Sequence, residues 1–576
     1  MSPSGERHAR LIERLRQPGC WPDGIGPDRV IETHISSVLL VGEHAYKIKK
    51  PLDLGFLDFS TLARRRHFCE EEIRLNGRLA PDIYLDVIPI GGSPDAPEPF
   101  GKGPAIEYAV RMRRFDPEGL LSEHLELISR ARVNDLAERL ADFHAGIAVV
   151  DKAAEYGEPE AVLLPMRENF SQIRGLNHEP AVRDLLARLE HWTETRARQL
   201  GPLMCERKAG GFIRECHGDL HLGNIALDGA KGSRKNNSAV PRASLGHSGK
   251  ARFAGNGGSL AKKRNAGGGV QGRPNTGTYS CASPRLLIFD GIEFNPALRW
   301  IDVISELAFL LMDLDEKGLD GYARQLLNRY LELSGDYAAL PLLRFYQVYR
   351  AMVRAKVTAI RLAQADITSD EQRRLAAEFN NYLQLALRYT EPAQPGLVIT
   401  HGHSGSGKST RTLACIERFP AVRVRSDLER RRLAGIAAVG SSGSSPGGGI
   451  YTANLSARTY ERLGALAGKI MEAGLVAIVD ATFLHRADRQ RFRRQAGDLG
   501  VPFVILDFRL PEATLRQRIE LRRKQGDDPS EATLAVLERQ LATAEPLTAD
   551  ELKSVVVVES DHLPMDEILA RLSLPR

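Results

Sequence analysis

Apolar and polar positions alternate in short runs over the first part of the chain. VLLVGEHAYKIK (38–49) predicts a hairpin that turns at Gly42, Glu43 and His44. TLARRRHFCEEEIRLNGRL (61–79) places Phe68, Glu72, Leu75 and Leu79 at i, i+4, i+7 and i+11, which predicts a helix with those residues on its inner face. IPIGG (88–92) and AIEYAVRMRRF (105–115) predict strands around a Pro/Gly loop. Residues 1–110 thus form one lobe, and 111–390 read as mostly helical, interrupted by a polar Gly-rich stretch at 229–284. EPAQP (391–395) is a short linker. From 396 to 576 the period changes. LVITH (397–401), AVRVR (421–425), LVAIVD (475–480), PFVILDF (502–508) and SVVVVE (554–559) are β-branched runs separated by helical sequence. That alternation predicts an α/β domain with a parallel five-stranded sheet covered by helices. A Gly/Ser-rich, uncharged stretch at 437–449 predicts a flexible loop within it.

Charge changes the picture at one place. The chain carries 79 Lys+Arg against 73 Asp+Glu, a formal net charge of +6. Ten of the basic residues, and no acidic one, fall between 230 and 284, so the rest of the chain has 69 against 73, a net of −4. This stretch holds eleven glycines and few large apolar residues. It buries too little surface to offset its ordering entropy, which predicts a disordered basic insertion and confines any nucleic-acid contact to it. No apolar run reaches the roughly 18–20 residues that span a bilayer, and MSPSGERHARLIERLRQ lacks the apolar core of a signal peptide. The six cysteines show no CxxC spacing. A reducing cytoplasm and no membrane partner are the expectation.

Two constellations carry chemistry. GHSGSGKS (402–409) follows a predicted strand and precedes a predicted helix. Gly402, Gly405 and Gly407 let backbone N–H groups curl around phosphate oxygens, and the helix N-terminus adds its positive dipole end. Lys408 reaches the β- and γ-phosphates, Ser409 ligates Mg²⁺, and Thr410 follows on the same turn. Asp480 ends the strand LVAIVD, where a carboxylate can orient Mg²⁺ or its water shell. Asp427, in SDLERRR, can accept a proton from a substrate hydroxyl while Arg430 binds an anionic group; the alternative is an N-cap of the following helix.

The second constellation is ECHGDLHLGNIAL (215–227), with His217, Gly218, Asp219 and Asn224 in the H-G-D-x-x-x-x-N spacing of a kinase catalytic loop. Asp219 would receive or orient the acceptor proton, and Asn224 would hold Mg²⁺. LLIFDGIEFNP (286–296) supplies a second metal ligand, Asp290, at the end of an apolar strand. Asp290 lies 66 residues after Asn224, much further than a tight hairpin requires. IAL (225–227) and LLIF (286–289) flank the gap, so a long excursion from a hairpin tip accounts for it. Closure costs only about 0.6 kcal/mol per doubling of loop length. The alternative is an insertion that damages the site, or an error in the deduced sequence.

Residues 396–576 resemble the P-loop kinase family that includes polynucleotide kinase-like and gluconate kinase-like enzymes, through GHSGSGKST, SDLERR, VDATF and the arginine-rich segment 515–540. In that family a helical lid supplies arginines to the transferring phosphoryl group, which points to Arg518 and Arg522; a solvated arginine face is the alternative. Nothing in the sequence points to a hexameric motor. Residues 30–390 resemble the aminoglycoside phosphotransferase-like, kinase-fold enzymes through HGDLHLGN and IFDGIEF. That resemblance implies a two-lobed α+β fold and a phosphate lysine on an N-lobe strand, Lys47 with Lys49 as rival. It implies too a glutamate partner among Glu70, Glu71 and Glu72, of which Glu72 shares the inner face. The order of the halves resembles the bacterial bifunctional proteins described as aminoglycoside phosphotransferase/ATP-binding proteins. The expectation is an ATP- and Mg²⁺-dependent kinase with two nucleotide sites acting on small hydroxylated acceptors. A nucleic-acid 5′-hydroxyl kinase tethered by the insertion, or an ATP-binding regulatory protein, are the alternatives.

Overall fold

The computed structural model describes residues 3–21, 24–55, 57–229, 285–364, 367–436, 452–525, 533–559 and 562–575. The predicted disordered insertion and the predicted loop at 437–449 lie outside the described residues, apart from Gly229 at the edge of the first.

Six antiparallel strands form the first lobe in the order β1-β2-β3-β6-β4-β5. They are β1 (Arg29–Glu32), β2 (Ser36–Val41), β3 (His44–Lys49), β4 (Tyr84–Ser93), β5 (Ala96–Pro99) and β6 (Glu107–Arg113). The predicted hairpin is β2–β3, closed by Val41 opposite His44 across Gly42, whose φ of 53° suits the turn. β5 lies in the predicted Pro/Gly loop, and its prolines confine it to the sheet edge. Because side chains alternate along β3, Tyr46 and Ile48 pack outward under the N-terminal helix Pro3–Leu15, among Leu11, Leu15 and Trp21. Lys47 and Lys49 face the other way.

On that other side lies the helix Leu62–Asn76, capped by Thr61, whose side chain accepts from the Arg64 backbone N–H. Its buried face differs in part from the predicted one. Arg65, Cys69, Glu72, Leu75 and Asn76 are buried, and Phe68 is only half-buried. Arg65 is tolerated there because its Nε donates to both Glu107 oxygens, at 2.9 and 3.0 Å.

The second lobe is helical, as predicted, and carries two small antiparallel ribbons. β7 (Ile213–Glu215) pairs with β10 (Trp300–Asp302). β8 (Ile225–Asp228) pairs with β9 (Arg285–Ile288), with Ile225 opposite Ile288 and Asp228 opposite Arg285. The hairpin across the long gap therefore closes.

In the last part of the chain β11 (Gly396–His401), β12 (Ala421–Arg425), β13 (Val476–Asp480), β14 (Phe503–Phe508) and β15 (Val555–Val558) form an all-parallel sheet in the order β12-β13-β11-β14-β15. One apolar core runs from the helical lobe into this sheet, joining Leu326, Tyr330 and Tyr337 to Val422, Val424 and Leu466. Among the described residues no helix is long and apolar enough to cross a membrane.

Candidate functional site

The ribbon β8–β9 brings Asn224 and Asp290 to one end of a short ladder. The Phe289 N–H donates to the Asn224 carbonyl at 3.0 Å. Asn224 is buried, and its amide nitrogen donates to the Asp219 carbonyl at 2.9 Å and to Asp219 Oδ2 at 3.1 Å. With its nitrogen committed there, the amide oxygen is the atom Asn224 has for a cation. Asp290 takes a φ of 63°, a left-handed conformation unusual for a residue with a side chain. Its backbone N–H donates to the Tyr84 hydroxyl at 3.0 Å, and the next N–H, of Gly291, donates to Asn76 Oδ1 at 2.7 Å. A Cβ at Gly291 would stand 3.1 Å from His217, so a side chain there would press on the imidazole and the His217 carbonyl.

Lys47 joins the two lobes. Its Nζ lies 2.8 Å from Glu72 Oε1 and 2.6 Å from Asp290 Oδ1. Lys49 is fully buried and pairs with Glu72 Oε2 at 2.7 Å and with Glu293. Both lysines thus share Glu72, but Lys47 is the one on Asp290, and Glu72 is the glutamate on both. Glu70 is exposed, and Glu71 pairs with Arg74. Burial works against the Glu72 charge, yet the two ammonium groups hold its carboxyl below the usual carboxylate range.

Asp219 stands on the loop between β7 and β8, with His221 Nε2 3.4 Å from its Oδ2. Burial would raise its carboxyl, but His221 and His217 hold it well below the usual range. The loop backbone is fastened from the helix Val303–Glu316. Both Glu306 oxygens accept from the His217 N–H at 2.9 Å, and Asp313 Oδ2 accepts from the Leu222 N–H at 2.8 Å. Sequence reading missed Glu306, Asp313, Glu293, Tyr84 and Asn76. A signal existed for two of them. Glu306 and Asp313 are acids at i, i+7 that bracket a wholly apolar run, 307–312, a spacing of two turns that puts both on one buried face.

In the last part of the chain, the loop after β11 carries Gly402, Gly405 and Gly407 at φ 139°, 84° and 85°. A Cβ at Gly402 would stand 2.7 Å from the Phe508 carbonyl. The Lys408 ammonium donates to the loop carbonyls of Gly402 and His403 at 2.9 and 2.8 Å, so the loop closes around its own lysine. Ser409 is half-buried in the first turn of the helix Lys408–Arg418, and Thr410 beside it is exposed. Asp480 ends β13, opposite Arg425, with 4% exposure. Its Oδ2 is buried and accepts no hydrogen bond, with Arg425 Nε 4.0 Å away. An orphaned carboxylate oxygen beside a glycine cradle fits a hydrated cation next to phosphates. The N-cap of the helix Ser426–Leu433 is Arg425, and Asp427 sits inside the first turn with Arg430 Nη1 3.6 Å away. Arg518, on the helix Glu512–Gln525, reaches the loop, its Nη1 3.3 Å from where a Cβ of Gly407 would be. Arg522 belongs to the same helix, but its side chain lies outside the described residues. The loop tip is gripped by Gln540, which accepts from the Ser404 N–H at 2.9 Å and donates to its hydroxyl at 3.0 Å. A cavity of about 380 Å³ opens beside the loop, lined in part by His401, His403, Asp507 and Arg509.

Residues 397–547 match the family described as an AAA domain. An uncharacterized protein of Mycobacterium tuberculosis strain H37Rv and one of Mycobacterium bovis are each 27% identical to this chain over 482 residues, 83% of either length. Among solved structures, a Janibacter sugar kinase covers 31% of this chain and 95% of its own at 20% identity and a TM-score of 0.25. A Plasmodium vivax ethanolamine kinase covers 68% and 96% at 7% identity and a TM-score of 0.36. The residues that match this family, 397–547, carry the glycine-lined loop on the parallel sheet.

Proposed function

We propose that this chain is an ATP- and Mg²⁺-dependent phosphotransferase with two nucleotide sites, an aminoglycoside phosphotransferase-like half and a P-loop kinase half. Each half transfers the γ-phosphoryl group to a hydroxyl of a small molecule. The observation that carries the reading is the contact of Lys47 with both Glu72 and Asp290, which joins a strand lysine, a helix glutamate and a metal-ligand candidate at the end of the catalytic loop. For the second half the support is the loop of Gly402, Gly405 and Gly407 closed on Lys408.

In the first site Asn224 and Asp290 would hold Mg²⁺ through oxygen donors, and in the second Ser409 and Asp480 would do so. Mg²⁺ supplies neutralisation of the charge that phosphoryl transfer spreads over the phosphate oxygens. Lys47 moves its donors from Asp290 to phosphate oxygens, while Glu72 keeps the ammonium aimed. Asp219 orients the acceptor hydroxyl. It receives that hydroxyl's proton as the bond to phosphorus forms. In the second site Lys408 serves the β- and γ-phosphates, Asp427 the acceptor hydroxyl and Arg430 an anionic part of the acceptor. Arg518 and Arg522 close over the phosphates.

Transfer of labelled phosphate from ATP to a pool of hydroxylated metabolites tests this in the full chain. Asp219→Ala and Lys408→Ala should each remove a different subset of labelled products. If neither variant alters the products, the reading is wrong.

A further inference from the structure

β12 is an edge strand, and an edge presents unpaired backbone groups. Here a residue of the helical lobe covers that edge. Asn328, on the helix Asp320–Ser334, donates to the Ala421 carbonyl at 2.9 Å and accepts from the Arg423 N–H at 2.8 Å. Next to it on the same helix, Glu332 is 3% exposed, and its Oε1 accepts from Arg423 Nε at 3.1 Å and Nη2 at 2.7 Å. Burial opposes the Glu332 charge, and the guanidinium more than offsets it, holding the carboxyl below the usual range.

The other nitrogen of the same guanidinium points at the phosphate loop. Arg423 Nη1 donates to the Ser409 carbonyl and, at 3.2 Å, to the Thr412 hydroxyl. Thr412 in turn donates to the Lys408 carbonyl at 2.9 Å. The planar fork has fixed geometry, so the direction of one edge sets the direction of the other. A charge from the helical lobe therefore fixes a side chain that braces the first helical turn at both Lys408 and Ser409.

We propose that Glu332 is a positioning residue for the phosphate loop of the other half, acting through Arg423 on the turn that carries Lys408 and Ser409. The P-loop site is then complete only in the full chain. The proposal rests on the reading of that loop as a Mg²⁺-nucleotide site. Without Glu332 the Arg423 charge stays buried and unpaired, which is costly, and the guanidinium leaves the loop to find a partner or water.

The experiment titrates the full chain with ADP, with and without Mg²⁺, and takes the binding lost in Lys408→Ala as the P-loop component. Glu332→Gln and Arg423→Lys should weaken the Mg²⁺-dependent part of that component by about 10- to 100-fold, as a lost outer partner of a metal ligand does. Metal-free ADP binding should change much less. Asn328→Ala disturbs the same interface without touching the fork of Arg423; it should lower the melting temperature while leaving the Mg²⁺ dependence near wild type. Equal Mg²⁺ dependence in Glu332→Gln and wild type overturns the proposal, as does an equal loss in Asn328→Ala, which would mark a merely structural interface. If the wild-type chain shows no Lys408-dependent binding, the reading of the loop itself falls and the proposal with it.

Discussion

Lys47 Nζ stands 2.6 Å from Asp290 Oδ1, although 243 residues separate them in the chain. The contact ties the sheet of the first lobe to the ribbon of the second, and Glu72 fixes the lysine from a third segment. A strand ammonium held between two carboxylates is poised to exchange one of them for phosphate.

Removing either end of this contact should therefore abolish transfer by the first half alone. Lys47→Met and Asp290→Asn are each expected to lower its turnover by about 10²- to 10³-fold, the usual cost of one lost charge-stabilising group. Products that depend on Lys408 should persist. Labelled-product profiles of the two variants check this.

The fastening of the catalytic loop makes a second expectation. Glu306→Gln keeps the shape but weakens two hydrogen bonds to the His217 N–H. Stability should fall by about 1–3 kcal/mol, the cost of weakening a buried charge-assisted bond. The drop would be read from denaturant midpoints, with a matching drop in Asp219-dependent turnover.

Glycine at 402 is required twice over, by its φ of 139° and by the Phe508 carbonyl 2.7 Å from a would-be Cβ. Gly402→Ala should cost about 1–3 kcal/mol in backbone strain. It should also displace the carbonyl that Lys408 grips, weakening nucleotide binding measured by titration calorimetry.

Burial pushes the Asp315 carboxyl up to about 7, against the pull of the Tyr389 hydroxyl, which donates to it at 2.6 Å. The folded protein then holds this proton more tightly than the unfolded chain. The stabilising contribution is complete below about pH 4 and is lost as pH rises to about 7, at up to 1.4 kcal/mol per pH unit. Denaturant midpoints between pH 5 and 8 should decline in wild type and flatten in Asp315→Asn.

Much of the fold was legible where the pattern has one simple cause. The β2–β3 hairpin follows from period-two alternation and a glycine at its turn. The parallel sheet follows from five β-branched runs separated by helices. β1 and β5 were not anticipated, because edge strands carry exposed residues and prolines that read as loop. The inner face of the helix Leu62–Asn76 was misjudged at Phe68, because periodicity ranks residues by apolarity. Arg65 and Asn76 are buried there by partners distant in sequence, Glu107 and the Gly291 N–H. The HGD loop and the phosphate loop were legible as local motifs. Arg423 and Glu332 were not, since only the fold brings a strand edge and a helix 91 residues apart together.

The number of nucleotides bound per chain tests the central claim most directly. Equilibrium dialysis of the full chain against a non-hydrolysable ATP analogue with Mg²⁺ should give two equivalents. Lys408→Ala and Asp290→Ala should each leave one, and the double variant none. A single equivalent in the wild-type chain, lost entirely in Lys408→Ala, would contradict the account.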